Sequence, residues 1–318
     1  MKPEATGARS ASPGMTGVEA IHCAPLGIPL HVELGQGVDP ATVRAACHGW
    51  EGPADHGLEP MRLRVTRDAG LSGVAEPSIG VDGHEVIVTG AGADGRASAR
   101  TMLACCAVSD DFLAAPDRLR GEVLEPLVLF VLAHHDRTPL HASGLIAGDL
   151  AILTSGPSGA GKSSLALAAD RFGWRVLSDD TVYLQRQPQL KVWGLPRAAH
   201  LLPDDCTSPG GVPRIRNGQV KHAVPFRTSA GMASAERATL CVLAPGSAVA
   251  LEPLAPDEAV ARLGRLEPGF DLFARESHEA LALLAGKGAW LLTLSPQPAE
   301  AIALLAAHLP QLRATAAP

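Results

Sequence analysis

The chain has 318 residues, enough for one large domain or two modest ones with a substantial core. Its formal net charge of -6 and isoelectric point near 6.0 carry no basic footprint of the kind that nucleic acid or an anionic membrane requires. The six cysteines, Cys23, Cys47, Cys105, Cys106, Cys206 and Cys241, form no CxxC pair and no finger-like spacing with histidine, so they read as reduced thiols in a reducing cytosol.

The opening "MKPEATGARSASPGMTG" lacks the apolar centre of a signal peptide, and residues 1–19 are expected to form a disordered tail of a cytoplasmic protein. "IPLHVEL" alternates apolar and polar positions as a half-buried strand does. "DPATVRAACHGW" opens a helix with Asp39 as cap and Pro40 at the first helical position. "MRLRVT" and "HEVIVTG" read as two more strands, so residues 20–115 form a small β-rich α+β region with no catalytic spacing of its own.

From Pro116 the texture changes, and residues 116–318 are expected to form an α/β domain. "DRLRGEVLEPLVLFVLAHHD" is apolar all round, as a buried helix is, and its apolar run is far short of the roughly twenty residues that span a membrane. "PLHASGLIAG" and "LAILTSG" read as two strands joined in a hairpin around Gly148 and Asp149, followed by a glycine loop and a helix. "WRVLSDD", "TVYLQ" and "KVWGLP" are short strands, and the Gly-, Pro-, Arg- and Ser-rich Ser208–Gly231 reads as a long mobile loop. "ATLCVLAPG", "AVALEPL" and "AWLLTLS" are expected as strands, with helices in "APDEAVARLGRL", "ESHEALALLAG" and "PAEAIALLAAHL".

"GPSGAGKS" fits the pattern G-x-x-x-x-G-K-[ST] with Gly156, Gly161, Lys162 and Ser163. Glycines let the backbone turn successive N–H groups toward phosphate oxygens, and the helix that follows adds the partial positive charge of its N-terminus. In such a loop the lysine reaches the β- and γ-phosphates, and the serine hydroxyl serves Mg2+. An apolar strand before the loop and an alanine- and leucine-rich helix after it complete the required context.

"RVLSDD" sets Asp179 and Asp180 at the end of an apolar strand. One acid there can hold Mg2+, directly or through water, while its neighbour faces an acceptor hydroxyl and takes its proton. The bland alternative is a solvated turn, for which Ser-Asp-Asp is also suited. Spacing leaves open which aspartate is the base. His141, on the strand before the loop strand, is placed to tune or orient the catalytic acid, or else is a structural histidine among twelve.

The run "LHASGLIAGDLAILTSGPSGAGKS" followed by "RVLSDD" resembles the C-terminal domain of the HPr kinase/phosphorylase family, most closely over Leu140–Leu184. That resemblance implies a P-loop kinase core related to phosphoenolpyruvate carboxykinase; the β-rich region of residues 20–115 that precedes it does not look like the family's usual N-terminal domain. It implies ATP bound by Gly156, Pro157, Ser158, Gly159, Ala160, Gly161, Lys162, Ser163 and Ser164, and Mg2+ served by Ser163 and Asp180. It also implies that Lys162, Asp179 and His141 act in catalysis, with Asp179 as proton acceptor, and that the chain forms a homo-oligomer.

Ser164 stands where the carrier-protein kinases of that family carry an acid, and no glycine- and asparagine-rich phosphorylase signature occurs in Ser208–Gly231. These departures direct the reading to divergent members, similar to kinases that phosphorylate serine on biosynthetic precursor peptides. The expected activity is therefore γ-phosphate transfer from ATP to a hydroxyl, foremost serine of a peptide or small protein. A kinase of a small metabolite such as free serine, and an ATP-sensing module without turnover, are the alternatives.

Overall fold

The computed structural model describes residues 20–55, 57–203, 211–216, 219–227, 231–264, 271–286 and 288–316. The expected tail over residues 1–19 lies outside them.

The first strands are β1 (Ala20–Cys23) and β2 (Leu30–Leu34), followed by α1 (Pro40–Ala46) and by β3 (Met61–Arg67), β4 (Ser78–Asp82), β5 (Glu85–Thr89), β6 (Ala93–Ser98) and β7 (Leu103–Val108). Period-two patterning decides which face is buried: Met61, Leu63 and Val65 are fully covered, while Arg62 and Arg64 between them face solvent. Asp39 caps α1 as expected, accepting from the Ala41 amide at 3.1 Å with Pro40 at the first turn. The seven strands form one sheet in the order β1-β2-β3-β7-β6-β5-β4, parallel from β2 through β7 and antiparallel elsewhere.

Short helices α2 (Asp110–Leu113) and α3 (Pro116–Arg118) lead through a π-helical turn, Leu119–Leu124, into α4 (Glu125–Ala133). Leu127, Val128, Val131 and Leu132 of α4 have no exposed surface, as an all-apolar helix requires, and α4 packs under β5 and β6 in the core of the seven-stranded sheet.

The chain continues through β8 (Thr138–His141), β9 (Ser143–Ala147), β10 (Leu150–Ser155), α5 (Lys162–Arg171), β11 (Arg175–Ser178), β12 (Thr181–Gln185) and β13 (Lys191–Gly194). It then forms β14 (Ala198–Leu201), β15 (Val212–Arg216), β16 (Gln219–Pro225), β17 (Ala233–Ala235), β18 (Arg237–Pro245) and β19 (Ala250–Leu254). Helices α6 (Pro256–Leu263) and α7 (Ala274–Ala285), strand β20 (Ala289–Leu294) and helices α8 (Pro298–Ala307) and α9 (Leu309–Ala314) complete it.

These strands make a six-stranded sheet, β11-β9-β10-β18-β20-β19, a four-stranded sheet, β17-β13-β12-β8, and a three-stranded sheet, β14-β16-β15. In the first, β10, β18 and β20 are parallel, and β11 shares their direction because both it and β10 lie antiparallel to β9. The architecture is mixed α/β. Leu145, Leu150 and Ile152 are wholly buried at its centre, each contributing about 1.5–3 kcal/mol through burial.

Two expectations are corrected. "PLHASGLIAG" is not one strand: the chain breaks at Ala142, β8 pairs with β12, and β9 pairs with β10 in another sheet. The hairpin around Gly148 and Asp149 is present between β9 and β10. Close approach of the two sheets needs glycine at position 194, where a side chain would collide with the Leu177 carbonyl. Second, Ser208–Gly231 is not wholly a loop, because β15 and β16 pair antiparallel, from Val212 with Ala223 to Arg216 with Gln219; residues 208–210, 217–218 and 228–230 of that stretch lie outside the described residues. Valines and isoleucine between the glycines and prolines supply the strand pattern that composition alone hides. Among the described residues, no helix is long and apolar enough to cross a membrane.

Candidate active site

Because β10 and β11 run one way and β9 the other, the ends of β10 and β11 lie beside the start of β9. The glycine loop, the acid pair and His141 therefore converge at one end of these strands. Wholly buried β10 delivers the chain to Gly156, and α5 begins at Lys162. Gly159 and Gly161 have φ of +80° and +98°, left-handed conformations that turn the loop and that other residues resist. The first-turn amides of α5 have no acceptors within their own helix, so they are turned to whatever lies at the loop.

Lys162 is buried, and its Nζ donates to the carbonyls of Gly156 at 2.7 Å and Pro157 at 3.2 Å. The lysine thus folds back over the loop whose phosphates it is expected to meet. Ser163 Oγ donates to Asp179 Oδ2 at 3.2 Å, joining the first turn of α5 to the end of β11. Asp180 turns the other way: its Oδ1 lies 3.6 Å from His141 Nδ1, and its side chain is 39% exposed against 9% for Asp179. The register of β8 with β12, which sets His141 opposite Thr181, produces that pairing. Ser178 Oγ accepts from the amides of Asp180 at 3.3 Å and Thr181 at 3.2 Å, holding the turn that splays the two acids.

Ser155 Oγ donates to the His141 carbonyl at 2.7 Å and ties the histidine's backbone to the end of β10. The hydroxyls of Ser143 and Thr154, directly paired across β9 and β10, are buried without a hydrogen-bond partner. Tyr183 is no competing base, since burial pushes its phenol above the ordinary range.

The residues present fit a nucleotide phosphate chain: left-handed glycines, a helix N-terminus and an ammonium form a cradle for oxyanions. Among the described residues no group of three or more His, Cys, Asp or Glu is arranged to hold a metal ion by itself. A serine hydroxyl with one carboxylate fits Mg2+, which keeps several waters and shares substrate phosphates.

His200 escaped the sequence reading. Its amide donates to Asp179 Oδ2 at 3.1 Å, and its Nδ1 lies 3.4 Å from the same oxygen. The available signal was the alternation in "AAHL", where buried Ala199 and Leu201 flank the histidine as in a short strand. Pro196 and Arg197 just before it obscured that pattern.

No protein-family model matches the chain, and no curated protein matches it. Among solved structures it is similar to the Hpr(Ser) kinase/phosphatase from Coxiella burnetii, at 15% identity and a TM-score of 0.30, over 55% of this chain and 98% of that one. A likeness this distant leaves the functional reading to the geometry.

Proposed function

We propose that the chain is an ATP-dependent kinase of a P-loop core related to phosphoenolpyruvate carboxykinase, transferring the γ-phosphate to serine of a peptide or small protein. The observation that carries this reading is the division of the acid pair at the loop: Asp179 meets Ser163, while Asp180 meets His141. A loop that binds phosphates and two differently directed carboxylates are the parts that phosphoryl transfer to a hydroxyl needs.

Lys162 and the amides from Gly156 to Ser164 hold the triphosphate in this reading, and Ser163 with one aspartate holds Mg2+. When bound, the ion neutralises charge on the phosphate oxygens. The resemblance implies the metal at Asp180 and the proton at Asp179, which spacing alone leaves open; the geometry favours the reverse. Asp179 is buried, and its Oδ2 already receives Ser163 and His200. Asp180 is open to an incoming hydroxyl and backed by His141. Asp180 then takes the acceptor's proton as the hydroxyl oxygen bonds to the γ-phosphorus and ADP leaves with the electron pair of the broken bond. His141 orients that carboxylate.

Incubation with ATP, Mg2+ and a panel of serine-containing peptides, with free serine in parallel, tests the reading by mass spectrometry of the products. Phosphopeptide formation is expected. ATP binding without transfer to any hydroxyl in the presence of Mg2+ would sink it.

A further inference from the structure

We propose that His200 is a positioning residue: it locks Asp179 against Ser163 and ties the three-stranded sheet of β14, β16 and β15 to the phosphate loop. This rests on the kinase reading above. Three donor positions meet on one carboxylate oxygen, Asp179 Oδ2: Ser163 Oγ at 3.2 Å, the His200 amide at 3.1 Å and His200 Nδ1 at 3.4 Å. Two of the three belong to one residue, so the carboxylate cannot turn about its Cβ–Cγ bond without breaking with both. With its proton on Nδ1, the imidazole donates to Oδ2, the oxygen that also accepts from the Ser163 hydroxyl. Partners that orient a metal-binding carboxylate in this way set metal affinity, and their loss typically costs about 10–100-fold.

The same sheet is fastened to α5 a second time. The Arg227 amide, just past β16, donates to Asp170 of α5 at 3.0 and 2.8 Å on its two oxygens, and Asp170 is only 2% exposed. His200, paired with Ala223 across β14 and β16, is therefore the contact through which this sheet reaches the start of α5, as Arg227 reaches its end. The two fastenings differ in kind. The one at Asp170 lies near the C-terminal end of α5, whereas the one at His200 ends on the carboxylate that Ser163 contacts.

Calorimetric titration of the full chain with ATP at stepped Mg2+ concentrations, without acceptor, tests the inference. His200→Ala is expected to need about ten-fold more Mg2+ for half-maximal tightening of ATP binding. His200→Asn, whose amide nitrogen reaches the place of Nδ1, should recover most of it, and His200→Gln, which reaches the place of Nε2, should not. If the alanine variant fails to fold, the contrast between Asn and Gln carries the test. In an Asp179→Asn background His200→Ala should add nothing. An unchanged Mg2+ dependence, equal behaviour of the Asn and Gln variants, or full additivity with Asp179→Asn overturns the inference while leaving the kinase reading standing. Failure of the unaltered chain to bind ATP at any Mg2+ concentration overturns both.

Discussion

Ser163 and Asp179 meet across 3.2 Å, and through them the first turn of α5 is closed onto the end of β11. A glycine loop before a helix suits phosphate; in the proposed reading the hydroxyl and carboxylate joined beside it would hold a divalent cation. The contact also withdraws Asp179 from its neighbour, so the two acids of one turn serve different partners.

Lys162→Ala removes the ammonium that folds over the carbonyls of Gly156 and Pro157. Affinity for ATP should fall at least ten-fold while the fold survives, because α5 keeps a good helix former at its first position. ATP titration with circular dichroism checks this. Wild-type ATP affinity in the variant would remove the phosphate-loop assignment.

Much of this was legible in the sequence, and the limits have physical causes. The loop, its lysine and serine, and the acid pair stand out because strand, glycine loop and helix impose strong local patterns. The orientation of Asp179 and Asp180 depends on the turn held by Ser178 and on the register of His141 with Thr181, the latter a contact between distant segments. Strands β4, β6 and β7 were missed because β4 is exposed along its length and β6, "ADGRAS", is built of small and polar residues. β8 was fused with β9 because their break at Ala142 has no glycine or proline to mark it.

Arg137 supplies a stability test away from the site. It is 2% exposed, donates to the Leu26 carbonyl at 2.7 Å and pairs with Asp55 at 2.9 Å. Arg137→Met preserves bulk but strands a half-buried carboxylate and a backbone acceptor, with Lys191 at 3.4 Å only partly compensating. The expected cost is about 3 kcal/mol in urea unfolding. A loss below about 0.5 kcal/mol would show that Asp55 is satisfied without the guanidinium.

The cysteines give a pH-dependent readout. Cys105 is exposed, whereas burial first, and the neighbouring Cys105 second, push the Cys106 thiol up to about 12; burial alone does the same for Cys241. Only a thiolate reacts with iodoacetamide, and a raised value leaves these two thiols protonated up to strongly alkaline pH. Peptide mapping after alkylation of the native protein at pH 8.5 should find Cys105 modified and Cys106 and Cys241 intact. Equal labelling of Cys105 and Cys106 would contradict the orientation of β7.

His141→Ala should lower turnover about ten-fold to a hundred-fold with little change in ATP affinity, since His141 Nδ1 lies by Asp180, whereas Lys162 Nζ is held by the loop carbonyls of Gly156 and Pro157. Steady-state kinetics against both substrates decides it. A matching loss of ATP affinity would place the histidine with the nucleotide instead.

The sharpest separation lies between the two aspartates. Asp180→Asn keeps size and hydrogen bonding but removes the proposed proton acceptor, so turnover should fall about 10²–10⁴-fold at every Mg2+ concentration. Asp179→Asn removes charge beside Ser163, so its principal effect should be a higher Mg2+ requirement, with turnover partly restored as the ion is raised. Burial supports this order: Asp179 is the covered carboxylate with occupied Oδ2, and Asp180 the open one. Turnover of each variant across a Mg2+ titration, with ATP binding measured alongside, reads both effects at once. The opposite pattern, with Asp179→Asn unrescued by Mg2+ and Asp180→Asn rescued, would return the proton to Asp179. Wild-type turnover in both variants would leave the acid pair as no more than the turn that Ser178 caps.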